Sequence, residues 1–375
     1  MLGVDGTNKD EWDEIMKFIG KKNINIENLK IKSIVMAISA AALYGISSPV
    51  SKLLLVELPP ALMAALLYLG AGFGMVLINI IKVIRKTEQI EAKITRDETV
   101  YVAGMIILDI AAPILLMFGL TMTTAANASL LNNFEVVATS LIAYYVFKES
   151  IGKRMGLAIL LITISSIILS FQDFSSFSFS IGSIFVLLAC ICWGLENNCT
   201  RMLSIKDPLQ IVVIKGFGSG IGSLVIAFSI KEYSSNYIYI GFALLLGFVS
   251  YGLSIFFYIS AQRELGAART SAYYAAAPFI GVLISWLVLN EALKQSFMVS
   301  LVIMLIGTYF AVTENHIHIH AHMEETHNHK HNHEDAHHAH EHAPIVHGEH
   351  SHVHNHTEIE HHHPHLPDLH HKHNH

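Results

Sequence analysis

Between Ser33 and Val312 the chain is a succession of apolar runs long enough to cross a bilayer, joined by short connections that carry Pro, Gly, Ser or a charge. A spanning helix needs about 20 predominantly apolar residues. The runs are Ser33–Leu55, Pro60–Ile84, Thr99–Leu120, Ala125–Phe147, Arg154–Phe171, Ile181–Met202, Gln210–Ile230, Ile238–Ala261, Ala267–Leu289 and Ser296–Val312, ten in all. Lipid offers no water to an exposed backbone, so such runs read as helices, and the alternating pattern of a membrane barrel is absent. The chain is only 14% charged, against about 25% in soluble domains. Its 24 basic and 30 acidic residues gather at the ends: 12 lie in the first 32 positions and 11 in the last 60, leaving 31 for the 283 between. All 25 histidines lie between His316 and His375. A soluble enzyme, a disulfide scaffold and a wholly disordered protein are excluded.

The net charge of −6 averages a membrane block with an acidic tail and says little about partners. Cys190, Cys192 and Cys199 crowd into one apolar run and form no disulfide framework. No cleavable signal peptide is expected, because the first 32 residues are rich in Asp, Glu and Lys and the first apolar run is long enough to span.

Orientation follows from Lys and Arg in the short loops. With a cytoplasmic N-terminus, the inner loops hold Lys82, Arg85, Lys86, Lys93, Arg96, Lys148, Lys153, Arg154, Arg201, Lys206, Arg263 and Arg269, and the outer loops only Lys231 and Lys294. Lys17, Lys21, Lys22 and Lys30 agree. An even number of spans returns the C-terminus to the cytoplasm, and a plasma or inner membrane is the expected location.

The two halves repeat. At an offset of 149, Tyr44-Gly45, Ser51, Lys52 and Pro59 match Trp193-Gly194, Thr200, Arg201 and Pro208. At an offset of 142, Ala125-Ala126, Ser129 and Glu149 match Ala267-Ala268, Ser271 and Glu291. Five spans per copy is odd, so the repeats are inverted in the membrane, the usual build of secondary transporters with a substrate site near the midplane. The expected organisation is a cytoplasmic segment over 1–32, a first repeat over 33–171, a second over 181–313 and a tail over 314–375.

On these repeat lengths the chain resembles the drug/metabolite transporter superfamily, in its ten-helix form made of two EamA repeats. The fourth run ending in Tyr-Val-Phe-Lys-Glu149 and its partner, Pro278 through Ser285-Trp286 to Asn290-Glu291, carry the same resemblance. The Glu-Pro pair frequent in that helix is split here, as Glu135-Val136 in one copy and Ala277-Pro278 in the other. The basic residue frequent in the second helix is Lys215 in the second copy and is replaced by Leu66 in the first. The resemblance implies outward movement of a small metabolite, with four helices of each repeat lining a cavity and the fifth packing outside.

Ionisable residues inside spans are costly and usually face the bundle interior or a wet cavity. Here they are Asp109, Glu135, Glu196 and Lys215. Ala128, Asn132, Glu135 and Thr139 make one stripe, Tyr44, Ser47, Ser48 and Ser51 another beside Pro49, and Tyr251, Ser254 and Tyr258 a third. The expected substrate and coupling set is Tyr44, Asp109, Asn132, Glu135, Glu196, Lys215 and Tyr274. A carboxyl desolvated there suits proton-coupled export; buried charge pairs that fix helix register are the competing account. Cys192, Glu196 and Cys199 share a helical face and could take Zn²⁺ or a similar ion, though free cysteines also pack as small apolar residues. Gly70, Gly72 and Gly74, with Gly216, Gly218, Gly220 and Gly222, lead to no Lys-Ser/Thr and read as close helix packing.

The tail opens with His316, His318, His320 and His322 and repeats the spacing at His327, His329, His331 and His333; His361, His362 and His363 follow. Such tracts bind Ni²⁺, Zn²⁺, Co²⁺ or Cu²⁺. With few apolar residues to bury, the segment is expected to stay disordered until metal gathers it. Trp12, Ile15, Met16 and Ile19 follow helical spacing, for a helix along the inner membrane face or in the cytosol. The whole reads as a secondary carrier and not an enzyme, requiring no cofactor. A metal carrier and a membrane-anchored metal store or sensor are the alternatives. The expected partners are a small-molecule solute, the bilayer, transition-metal ions and, as an option, a second copy in a homodimer; nucleic acid is not among them.

Overall fold

The computed structural model describes residues 31–85, 94–147, 151–173, 178–203, 206–265, 270, 273–313, 317–322, 325–331, 350–356 and 359–364. The membrane block is a bundle of helices: α1 (Ile31–Leu54), α2 (Pro60–Ile84), α3 (Thr99–Met122), α4 (Ala125–Leu131), α5 (Phe134–Phe147), α6 (Lys153–Ser170), α7 (Ile181–Arg201), α8 (Pro208–Ser229), α9 (Tyr237–Ala261), α10 (Ala277–Leu289) and α11 (Gln295–Val312). Eight are long and apolar enough to cross a membrane by themselves. Their starts are written locally. Pro60 and Pro208 open α2 and α8, where a missing N–H costs nothing. Thr124, Ser180 and Asp207 cap α4, α7 and α8 by accepting from the N–H of Asn127, Ser183 and Leu209.

The fourth run is broken. Asn132 and Asn133 form a tight turn between α4 and α5, with Glu135 N–H and Val136 N–H bonding three residues back to the carbonyls of Asn132 and Asn133. Its partner run breaks at Ala275-Ala276, just ahead of Pro278, which has no N–H for the carbonyl of Tyr274. The two halves thus interrupt the same helix at nearly the same place. Gly247–Leu253, inside α9, is π-helical, and a turn at Ile46 interrupts α1 ahead of Pro49. Discontinuous helices at membrane depth occur where the backbone is buried in protein or lines a cavity.

Glycine sets the closest contacts. A Cβ on Gly216 would sit 2.5 Å from the backbone N of Gly72, one on Gly247 2.0 Å from the carbonyl O of Leu67, and one on Gly70 2.0 Å from that of Leu244. Thus α2 lies against α8 and α9 without intervening side chains. Equivalent helices of the two halves meet where α2 packs on α8 and α6 on α11, where Gly307 faces Ile162; in the broken runs α4, ahead of one break, packs on α10, which follows the other, and Gly281 faces Ser129. Like-on-like contact is what a pseudo-two-fold relation produces. The outward faces carry Phe73, Leu77, Ile80, Leu245, Leu287 and Val302, all exposed in the bundle and suited to lipid.

Short strand pairs accompany the helices. The halves are joined by a short antiparallel pair, β1 (Phe171–Asp173) with β2 (Ser178–Phe179). The tail is paired in places instead of structureless: β3 (Ile317–His322) runs antiparallel to β6 (Ile359–Pro364), and β4 (Glu325–His331) to β5 (His350–His356). Strict alternation of His with another residue matches the two-residue period of a strand, a signal that composition alone overlooks. The register sets His318 opposite His363, His320 opposite His361, and His327, His329 and His331 opposite His354, His352 and His350. The N-terminal segment, His316 and His333, and Glu149, Ala267, Ala268 and Ser271 lie outside the described residues.

Candidate functional site

Three charged side chains from α3, α7 and α8 meet inside the bundle. Lys215 Nζ lies 2.9 Å from Glu196 Oε1 and 3.1 Å from Asp109 Oδ2, and all three side chains are buried. The Asp109 contact is an ion pair without hydrogen-bond angles at Oδ2. Tyr68 donates to Asp109 Oδ1 at 2.9 Å. Thr200 donates to Glu196 Oε1 from the next turn of α7. Pro113 removes the N–H that would engage the backbone carbonyl of Asp109, which softens α3 where its acid sits. The ion pair of Asp109 with Lys215 crosses between the halves, holding α3 to α8.

Glu135, on the first turn of α5 after the break, accepts from Asn197 Nδ2 at 2.7 Å; the same amide reaches Thr139 Oγ1 at 3.2 Å. Asn198 bonds the carbonyls of Gly194 and Thr139. Glu135 is half-buried, as are Tyr44 and Tyr274, in contrast to the sealed triad. The tyrosines form a chain: ring centroids are 5.3 Å apart for Tyr68 and Tyr251, 6.0 Å for Tyr251 and Tyr44, 5.8 Å for Tyr44 and Tyr274, and 4.9 Å for Tyr274 and Tyr258. Ser47 donates to the Tyr251 hydroxyl at 3.4 Å.

Of the residues singled out by sequence, Lys215 joins Asp109 and Glu196; Glu135 is bonded to Asn197, the residue after Glu196, and Tyr44 and Tyr274 connect to Asp109 only through the ring chain by way of Tyr251 and Tyr68. Asn132 supplies the backbone turn ahead of Glu135, and the Cys190 thiol packs on it. Cys192 and Cys199 do not join Glu196 as ligands. Cys199 packs toward Gly104, Glu196 is held by Lys215, and among the described residues no three His, Cys, Asp or Glu side chains are placed to hold a metal ion. Tyr68, Asn197 and Thr200 were not read as site residues. Asn197-Asn198, two amides in one apolar run, was the available signal. Tyr68 gave none, since a lone Tyr in a span is ordinary.

Charged side chains also hold the helix ends. Glu291 accepts from the N–H of Ala125 and of Ala126, both at 2.8 Å, so the acid matched across the repeats caps the start of α4. Lys52 donates to the carbonyls of Leu120 and Thr123 at the end of α3, and Glu232 accepts from Ala61 N–H at the start of α2. At the other end Glu98 Oε1 meets Lys206 Nζ at 3.0 Å, and its Oε2 takes the N–H and hydroxyl of Thr95. Burial pushes the Glu98 carboxyl up, but the bonds from Thr95 and Lys206 outweigh it and hold it near about 2, against an ordinary 4.5. A depressed folded value adds stability that is complete above the ordinary carboxylate range and is lost as pH falls from about 4.5 towards 2. Glu98→Gln is therefore expected to cost roughly 1–3 kcal/mol, the same at pH 8 as at pH 6 and shrinking below pH 4. Thermal midpoints of both proteins across pH check this, and equal midpoints at pH 7 would disprove it.

A multi-helix membrane protein with a charged interior site shared by two like halves is the architecture of a membrane transporter. The chain belongs to the EamA-like transporter family, whose pattern matches residues 31–171 and again 180–313. It is 27% identical over 288 residues to an uncharacterized transporter of Methanothermobacter thermautotrophicus, covering 72% of this chain and 83% of that one. It is 23% identical over 207 residues to the uncharacterized transporter YyaM of Bacillus subtilis, covering 52% and 67%. In fold it is similar to a protein of known crystal structure, with a TM-score of 0.55 at 12% identity, over 74% of this chain and 95% of that one.

Proposed function

We propose that the protein is a secondary-active exporter of a small metabolite, working by alternating access between two inverted five-helix repeats in the plasma membrane. Ten crossings leave both termini in the cytoplasm, in agreement with the Lys and Arg distribution. The observation that carries this reading is the meeting of Asp109 of one half with Glu196 and Lys215 of the other, and of Glu135, just after one of two matched helix breaks, with Asn197. Like-on-like packing of α2 with α8 and of α6 with α11 supports the inverted arrangement. Rocking one half against the other would open the chamber first to one side and then to the other, with Glu135, half-buried and next to the sealed triad, as the coupling acid. Glu135→Gln and Glu196→Gln are each expected to reduce efflux from inside-out vesicles at least a hundredfold while the protein still reaches the membrane. Full activity in both variants would remove the site.

The tail is proposed to bind transition metal on the cytoplasmic side, supported by the histidines that its strand register sets opposite one another. Deleting residues 316–375 is expected to abolish Zn²⁺ or Ni²⁺ binding in a calorimetric titration and to leave solute efflux within about twofold of the full chain. Loss of both would make the tail part of transport. Loss of metal resistance alone, in a chain that moves no solute, would favour a metal store.

A further inference from the structure

The two tail ribbons sort their histidines by face as well as by partner. Residues two apart on a strand, and residues directly opposite across an antiparallel pair, belong to the same face. On β4–β5 the successive rungs of one face are Glu325 with His356, His327 with His354, His329 with His352 and His331 with His350. The rungs between them, Thr326 with Asn355, Asn328 with Val353 and Lys330 with Ser351, belong to the other face and contain no histidine. On β3–β6, His318 with His363 and His320 with His361 are neighbouring rungs of one face. Opposite positions are about 5 Å apart and neighbouring rungs about 7 Å. The four residues of two neighbouring rungs therefore stand within an imidazole's reach of one point.

We propose that the paired tail binds three Zn²⁺ ions, each at two neighbouring rungs of one face. This deepens the reading of the tail as a metal-binding segment and rests on it. His318, His320, His361 and His363 make the first set. Glu325, His327, His354 and His356 make the second, and His329, His331, His350 and His352 the third. Zn²⁺ takes four ligands in a tetrahedron, with His nitrogen and Glu oxygen among its usual donors, and imidazole ligands select it over Mg²⁺ or Ca²⁺. Each set draws two ligands from each strand, so every ion staples the two sides of a ribbon together. Such a site rarely exists before its ion arrives, and the free energy of binding goes into the pairing. Register and not histidine count then fixes the affinity, because moving a histidine by one position transfers it to the other face.

The test is competition for Zn²⁺ between a chelating indicator dye and the full-length protein purified in detergent. The parent is expected to retain three ions per chain against the dye. Asn328→His, His329→Asn, His352→Val and Val353→His, made together, keep the composition and move one His–His rung to the opposite face. This variant should retain two ions, with the third weakened at least tenfold. His329→Asn with His352→Asn should lose the same ion. His337→Asn with His338→Asn removes as many histidines from outside the strands and should leave all three ions in place. Size-exclusion profiles of each variant separate lost binding from lost folding. A rearranged variant that holds as much Zn²⁺ as the parent overturns the assignment by face and leaves the tail a metal binder by composition. So does a His337, His338 double variant that loses as much as the His329, His352 one. A parent that retains no Zn²⁺ overturns this assignment and the metal-binding tail together.

Discussion

Replacing Lys215 by Met is expected to lower stability by about 3–5 kcal/mol, because it leaves Asp109 and Glu196 buried beside each other with no ammonium between them. For a chain of this size that is a fall of roughly 10 °C in thermal midpoint. The sign of the repair is as informative as the loss. Adding Asp109→Asn and Glu196→Gln to Lys215→Met neutralises the cluster, and most of the lost midpoint should return, since a neutral hydrogen-bonded set of similar volume is cheap to bury. Transport should not return, because the acids are gone. A single variant as stable as the parent, or a triple variant no better than the single one, would show that the three side chains do not form the buried network described. A triple variant that transports would confine the cluster to holding α3, α7 and α8 in register.

Gly247→Val is expected to prevent stable folding, or to lower the midpoint by at least as much. The missing Cβ faces the Leu67 carbonyl at 2.0 Å and its carbon at 2.6 Å, both backbone atoms of α2 that cannot turn aside. Either α9 moves off α2, opening the packing around Tyr68 and Tyr251, or the helix deforms at the π-helical stretch that carries Tyr251. Gly156 and Gly241 provide the comparison, since a Cβ at either meets nothing within 4 Å. Alanine at those two should be neutral or stabilising by up to about 1 kcal/mol through its better helix propensity. Yields of folded protein after detergent extraction distinguish the cases. Equal yields from Gly247→Val and Gly241→Ala would refute the close approach of α2 and α9.

The acids and the base of the site were legible as types. Asp109, Glu135, Glu196 and Lys215 stand out in runs that hold almost no other charge, and lipid makes such exceptions expensive. Which acid pairs with Lys215 was not legible, because Asp109 and Glu196 are on different helices and their meeting depends on how closely α3, α7 and α8 approach. The same limit hid Tyr68 and Asn197, ordinary residues until Asp109 and Glu135 are found beside them. For Cys192, Glu196 and Cys199, where ligation of a metal and plain packing were both open from the spacing, it is Lys215 on another helix that takes the Glu196 carboxylate.

What the sequence determined by itself is the class of molecule: apolar length, the placement of Lys and Arg, and residue correspondences at two fixed offsets are one-dimensional properties, and the cost of exposing backbone to lipid turns them directly into helices. The tertiary structure alone decided the site's connections. A hydrogen bond or ion pair is a matter of a few ångströms between residues as far apart as Asp109 and Lys215, and those distances are set by glycine contacts between helices and by breaks at Asn132-Asn133 and ahead of Pro278, which act only once the bundle has closed.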